Sequence, residues 1–148
     1  MSETVKEVGP VKLKPVRKTY LWGTEDWMLS WLNEGLEEIP LLIKIIQARE
    51  ALSVQVHPGD DLARELKLTR GKTEMWYVLD AKPGAQLVYG FCYDMTKERL
   101  KESLENGTVE KYLQRVDIRP DDVFYIEAGT VHAIGGGALV AEIQESSN

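Results

Sequence analysis

The sequence has little cysteine, little histidine and no excess of basic charge. It contains one cysteine and two histidines in 148 residues, and its 24 acidic residues outnumber its 18 basic ones. The single cysteine, Cys92, excludes an intramolecular disulfide framework and is typical of a reducing cytosol. A net charge of −6 offers no general attraction for nucleic acid. The basic run between Lys12 and Lys18 is more typical of a solvated strand edge.

Long hydrophobic runs are also missing. The longest charge-free segment, Ala128–Ala141, is too short and too rich in glycine to cross a bilayer. Near the N-terminus, Glu3, Lys6 and Glu7 stand where a signal peptide has apolar residues. We therefore expect a cytoplasmic protein without a membrane partner. The 43% hydrophobic content is enough to bury a core, and residues 1–148 are expected to form a single domain.

Short β-branched and aromatic segments, separated by glycine and proline turns, dominate the chain. They predict strands at Leu41–Gln47, Leu52–Val56, Glu74–Leu79, Gln86–Phe91, Val123–Ile126 and Ala138–Ile143. Strands at this spacing indicate a mainly β fold, an antiparallel sandwich or barrel.

Two helical interruptions are expected between these strands. Asp60–Leu68 begins with two acidic residues, which favour a helix N-terminus. The segment from about residue 95 to residue 116 predicts two helices that are interrupted at Asn106 and Gly107. Its second half places Val109, Tyr112, Leu113 and Val116 at helical spacing.

A few polar side chains at strand ends predict a metal site. His57 ends an alternating segment and shares a face with Gln55, Glu74 starts the next strand, and His132 follows a tight glycine turn. Two imidazoles, one carboxylate and one amide oxygen make a mixed nitrogen and oxygen site, and the lack of cysteine ligands disfavours a structural zinc knot. Two solvated or hydrogen-bonded histidines at loop ends would account equally well for the spacing.

Several of these segments resemble a known family. Leu52–Asp61 (LSVQVHPGDD), Gly71–Tyr77 (GKTEMWY) and Ala128–Ile134 (AGTVHAI) are similar, in that order, to type I mannose-6-phosphate isomerases, also called phosphomannose isomerases, of the cupin superfamily. Tyr20–Gly23, Trp27–Ser30 and Leu139–Ser147 extend the resemblance over nearly the whole chain. It implies a cupin-type antiparallel β-barrel or jelly roll with a short helical insertion at about residues 95–116.

The resemblance also implies a set of functional residues. It assigns zinc binding to Gln55, His57, Glu74 and His132, although other first-row divalent ions accept the same ligand types. It assigns substrate contacts to Ser53 and Trp22, and catalytic roles to Lys72 and Glu142. Each role has a simpler alternative. Lys72 could be a surface lysine paired with Glu74, Glu142 could pair with a neighbouring cation, and Trp22 could belong to the core.

The implied function is zinc-dependent aldose–ketose isomerisation of mannose 6-phosphate and fructose 6-phosphate through an enediolate. The family's members are at least about twice this length, and the chain stops at Asn148, before an arginine with an enzymatic role in the family. A non-catalytic module that binds a metal and a sugar phosphate is therefore the main alternative, and another metal-dependent cupin, such as an oxygenase or epimerase, is a third. The expected partner is a small sugar phosphate, and a homodimer is compatible with the exposed sheet edges.

Overall fold

The computed structural model describes residues 12–30 and 39–147. Nine strands dominate this part of the chain: β1 (Val16–Tyr20), β2 (Gly23–Leu29), β3 (Leu41–Ala48), β4 (Glu74–Ala81), β5 (Gln86–Phe91), β6 (Leu113–Asp117), β7 (Val123–Ile126), β8 (His132–Ile134) and β9 (Ala138–Glu145). Helices α1 (Asp60–Glu65) and α2 (Lys97–Glu105) interrupt them, with a 3₁₀ turn at Val109–Tyr112. Neither helix in this part of the chain is long and apolar enough to cross a membrane.

The strands form two antiparallel sheets. One sheet has six strands in the order β1-β2-β3-β9-β4-β7, and the other has three in the order β6-β5-β8. The prediction of a mainly β, antiparallel fold is confirmed. Within residues 12–30 and 39–147, however, the strands pair as two separate sheets and do not close into one barrel.

The hydrophobic core lies between the two sheets. Ile46, Val78 and Val140 of the larger sheet pack in one buried cluster with Leu87 and Ile134 of the smaller sheet. Side chains of β9 alternate strictly between buried and half-buried positions, as expected for a strand with one face on the core.

The inward face of the larger sheet changes from apolar to polar along its strands. On β9 the buried positions Ala138 and Val140 are followed by Glu142 and Gln144, and on β4 the series begins with Glu74. Buried polar groups cost free energy unless they are paired, so this end of the sandwich is where a functional site is expected.

Two predicted segments differ from the structure. Leu52–Val56 is not a strand, because it hydrogen-bonds to β8 only at Leu52 and Gln55, and only Gln55 forms an isolated bridge. Val54 and Val56 are exposed. The predicted helix after Gly107 is also wrong, because Leu113–Asp117 pairs with β5 as strand β6. The helical insertion is therefore shorter than predicted. The single-domain assignment remains a prediction.

Candidate metal centre

Three side chains converge at the polar end of the sandwich. The ligand atoms of His57, Glu74 and His132 all lie within 4.8 Å of one another. His57 Nε2 is 3.3 Å from Glu74 Oε1, and His132 Nε2 is 3.8 Å from Glu74 Oε2. Glu74 and His132 are buried and His57 is half-buried, so the cluster opens to solvent on the His57 side.

Backbone hydrogen bonds bring the two histidines together. The Gln55 N–H donates to the His132 carbonyl at 3.0 Å, and the His132 N–H donates to the Gln55 carbonyl at 2.9 Å. The Gly129 N–H donates to the His57 carbonyl at 2.8 Å. The segment that carries His57 is thus fastened to the turn that precedes β8.

A close backbone approach at Gly71 places the same segment against the start of β4. The Gly71 N–H donates to Asp60 Oδ1 at 2.8 Å, and the Lys72 N–H donates to the Pro58 carbonyl at 3.1 Å. A Cβ atom at Gly71 would lie 2.8 Å from the Asp60 nitrogen and 2.9 Å from the Pro58 oxygen. Only glycine allows this approach without a backbone shift.

His132 is oriented as a metal ligand would be. Its Nδ1 lies 2.8 Å from the Thr130 carbonyl and so carries the proton that it donates there. Its buried Nε2 has no hydrogen-bond partner among the residues that the structure describes, and it faces Glu74. Burial lowers the pKa of His132, which keeps the ring neutral and the Nε2 lone pair available.

Glu74 is held as a carboxylate. Burial by itself raises its pKa, but the hydrogen bond from His57 and the positive charge of Lys72 outweigh burial and lower the pKa to about 2. Two imidazole nitrogens and an ionised carboxylate are a ligand set that suits Zn²⁺ and related divalent ions. The residues present therefore fit a metal ion.

A cavity of about 300 Å³ adjoins this cluster. It is lined by Trp27, Leu42, Lys44, His57, Pro58, Leu68, Lys72, Gln144 and Ser147. The Lys72 ammonium contacts Glu74 Oε1 and lies 3.2 Å from His57 Nε2. Lys72 thus points at the cluster and is also paired with Glu74. This geometry agrees both with a catalytic lysine and with a lysine that only forms an ion pair.

Glu142 is buried next to Lys44, which lines the cavity. Its Oε2 accepts a hydrogen bond at 3.1 Å from Trp76 Nε1, which donates equally to Glu74 Oε2. Its Oε1 is 3.0 Å from the Lys44 ammonium. Burial and the charge of Glu74 raise the pKa of Glu142, although Lys44 opposes this.

Lys44 is a site residue that sequence reasoning missed. Its side chain is buried between Glu142 and Glu25 and reaches the cavity. The available signal was its position as the one charged residue in the apolar segment Leu41–Gln47, since a lysine is rarely buried without a partner.

The other predicted site residues lie at the margin of the cluster. Gln55 contacts His132 through its backbone and has an exposed side chain. Ser53 is exposed, and Trp22 stacks on Tyr20 at a ring distance of 4.7 Å and packs against the core. Neither Ser53 nor Trp22 is among the residues that line the cavity. Their assigned roles stay predictions.

The fold and the cluster together define a β-sandwich protein with a metal centre and two lysines at its open end. Residues 11–85 match the sequence profile of the phosphomannose isomerase type I catalytic domain. The chain belongs to this family, and the resemblance seen in its motifs is confirmed.

Individual relatives agree with this assignment. The chain is 46% identical over 110 residues to the probable mannose-6-phosphate isomerase GmuF of Bacillus subtilis, covering 74% of this chain and 35% of that protein. The crystal structure of mannose 6-phosphate isomerase from Bacillus subtilis superposes with a TM-score of 0.83 at 30% identity, over 92% of this chain and 58% of that one.

A zinc-bound mannose 6-phosphate isomerase shares the fold more distantly, with a TM-score of 0.65 at 15% identity over 93% of this chain and 68% of that one. The chain spans between 35% and 43% of the length of the curated relatives that it matches.

Proposed function

We propose that this chain is a zinc-dependent isomerase that interconverts mannose 6-phosphate and fructose 6-phosphate. The observation that carries the proposal is the cluster of His57, Glu74 and His132, with Lys72 directed at both the cluster and the adjoining cavity. Membership of the type I phosphomannose isomerase family supports the choice of reaction and substrate.

His57, Glu74 and His132 would hold the metal, with Gln55 as the further ligand expected from the sequence. When bound, zinc supplies positive charge that stabilises negative charge developing on a substrate oxygen. The chain's own cations act beside it: Lys72 and Lys44 line the cavity. An ammonium group binds a phosphate or an enediolate oxygen as a point charge.

The isomerisation moves a hydrogen from C2 to C1 of the sugar and a hydroxyl proton from O2 to O1. An acid–base side chain that removes the C2 proton and returns it to C1 must have a pKa nearer to neutrality than an ordinary carboxyl. Glu142 pairs with Lys44, which lines the cavity, and burial raises the pKa of Glu142 in this direction, so we assign the proton transfer to Glu142. Lys72 would stabilise the negative charge of the enediolate intermediate.

The remaining expectations concern the surroundings of the enzyme. A cytoplasmic location is proposed from the sequence alone. A homodimer is likewise a proposal, and analytical ultracentrifugation of the full chain tests it.

The experiment that tests the function is an assay of fructose 6-phosphate formation from mannose 6-phosphate with zinc-loaded protein. We expect turnover that falls by at least about a hundredfold in Lys72→Met, because the charge on the intermediate loses its partner. Lys82→Met, which removes an exposed lysine from a turn, is the matched control and should keep full activity.

Folded, zinc-loaded protein without turnover would contradict the proposal. It would instead support the non-catalytic module that binds a metal and a sugar phosphate, and binding of mannose 6-phosphate by calorimetry would identify that outcome.

A further inference from the structure

The buried charges at the polar end extend beyond the metal centre to Glu25 on β2. Glu25 is only 8% exposed. Its Oε2 accepts a hydrogen bond from Trp27 Nε1 at 2.7 Å, and the same oxygen lies 3.9 Å from the Lys44 ammonium. These partners hold the buried carboxylate in a defined place, because a buried charge without a partner costs much free energy.

The sheet register connects this carboxylate to Glu142. Trp27 lies opposite Lys44, Lys44 lies opposite Glu142, and Glu142 lies opposite Trp76, so four neighbouring strands contribute one cross-strand row. Glu25 is two residues before Trp27 on the same face of β2, and it contacts both Trp27 and Lys44 of this row. Cross-strand neighbours on one face interact directly, which allows a change at one end to be felt at the other.

Lys44 is the link in this row that can move. Its ammonium lies between two carboxylates, 3.0 Å from Glu142 and 3.9 Å from Glu25, and its side chain also lines the cavity. Lysine has a flexible stem with a compact charge, so it takes the position that its anionic partners fix. Without Glu25, one of the two partners that keep the ammonium at the cavity wall would be lost.

We propose that Glu25 is a positioning residue that acts on Glu142 through Lys44. Glu25 keeps the Lys44 ammonium against Glu142 Oε1, and Glu142 then presents its other oxygen to Trp76. The proposal rests on the proposed function, in which Glu142 transfers the proton. It goes beyond that function by assigning a role to a residue that belongs neither to the metal cluster nor to the lining of the cavity.

The structural part of the proposal is tested by NMR on the indole N–H resonances of the full, zinc-loaded chain. Glu25→Gln is expected to shift the resonance of Trp27, its direct partner, and also that of Trp76, three strands away. Asp26→Asn is the matched control, because Asp26 is the adjacent acid and pairs with Arg17 on the other face of the strand. It should leave both resonances in place.

The link through Lys44 is tested in a double-mutant cycle. In a Lys44→Gln background, or Lys44→Met if the first variant folds poorly, Glu25→Gln should no longer shift the Trp76 resonance. Two residues that act through one contact give non-additive effects, whereas two that merely stabilise the fold independently give additive ones. The proposal would be overturned if Glu25→Gln did not shift the Trp76 resonance, or if the shifts caused by Glu25→Gln and Lys44→Gln were additive.

Kinetics provide the second readout. We expect Glu25→Gln to lower kcat by about tenfold with little change in KM, and to have no further effect once Lys44 is replaced. If the parent chain has no isomerase activity, the proposed function fails, but the indole resonances still decide the positioning role. Equal loss in kcat in both backgrounds would show that Glu25 acts without Lys44.

Discussion

At the scale of single residues, the metal centre depends on how His132 is held. The Thr130 carbonyl fixes the proton on Nδ1, and burial keeps the ring neutral, so Nε2 is left facing Glu74. A neutral imidazole oriented by a backbone carbonyl is the usual arrangement of a ligand to zinc. The residue pattern thus favours a bound metal over two simply solvated histidines.

The charge of Glu74 should matter more to metal binding than its shape. Glu74→Gln keeps an oxygen for the Trp76 indole but removes the negative charge from the cluster. We expect zinc affinity, measured by competition with a chelator, to fall by at least about a hundredfold. Glu127→Gln, an exposed acid in the turn before His132, is the control. Unchanged affinity in Glu74→Gln would exclude Glu74 as a ligand.

The raised pKa of Glu142 predicts a stability cost that depends on pH. The unfolded carboxyl ionises at its ordinary value of 4.5, while the buried one retains its proton to higher pH. Stability is therefore unaffected by this shift at low pH and decreases as pH rises through the raised value. We expect metal-free Glu142→Gln to melt at a higher temperature than the parent near pH 7, and the difference to shrink at about pH 4. A Glu142→Gln variant that is less stable near neutral pH would show that pairing with Lys44 outweighs burial.

Some site residues could be predicted from the sequence and others could not. His57 and Lys72 stand in short motifs beside turns. Because the sequence has only two histidines, both were obvious candidates for metal ligands. Glu25 and Lys44 lie within ordinary strands, and only the register of β2 with β3 brings them together. Partnerships between strands distant in sequence leave no local pattern to read.

At the scale of elements, the contact between the His57 segment and β4 depends on Gly71. We expect Gly71→Ala to destabilise the protein by about 1–3 kcal/mol and to weaken zinc binding, because a methyl group there displaces Pro58 and Asp60. Gly59→Ala is the matched control on the same segment, since its Cβ would meet only Ala128 at 4.0 Å. Urea denaturation and zinc titration measure both effects, and equal behaviour of the two variants would contradict this account.

Helix α2 allows a prediction that is independent of the site. Thr96 caps this helix by accepting a hydrogen bond from the Arg99 N–H at 3.2 Å. Thr96→Ala should cost about 1 kcal/mol of unfolding free energy and leave zinc affinity unchanged. Thr108 precedes the 3₁₀ turn without a capping hydrogen bond, so Thr108→Ala should cost less. A loss of zinc in Thr96→Ala would mean that the two regions are coupled.

Strands with a clear local pattern were predicted well from the sequence, whereas strands that form only because a neighbouring strand pairs with them were not. Gln86–Phe91 and Val123–Ile126 agree with β5 and β7 residue for residue. Leu113–Asp117 has helical spacing but pairs with β5, so tertiary pairing overrides the local pattern. The N-terminal strands β1 and β2 were not assigned, since their many charged residues hide the alternation.

At the scale of the whole molecule, one sandwich has two chemically different ends. Its inward-facing side chains form an apolar core at one end and a paired set of carboxylates, histidines and lysines at the other. The apolar end stabilises the fold, and the polar end contains most of the buried polar and charged side chains. All three candidate metal ligands lie within this sandwich, although the chain spans only 35% to 43% of the length of its curated relatives.

The most direct test of this account is zinc-edge anomalous diffraction from crystals of the reconstituted chain. We predict one ion bound by His57, Glu74 and His132, with nitrogen–zinc distances of about 2.0–2.1 Å. A crystal that takes up zinc elsewhere, or that takes up none after reconstitution, would contradict the central claim.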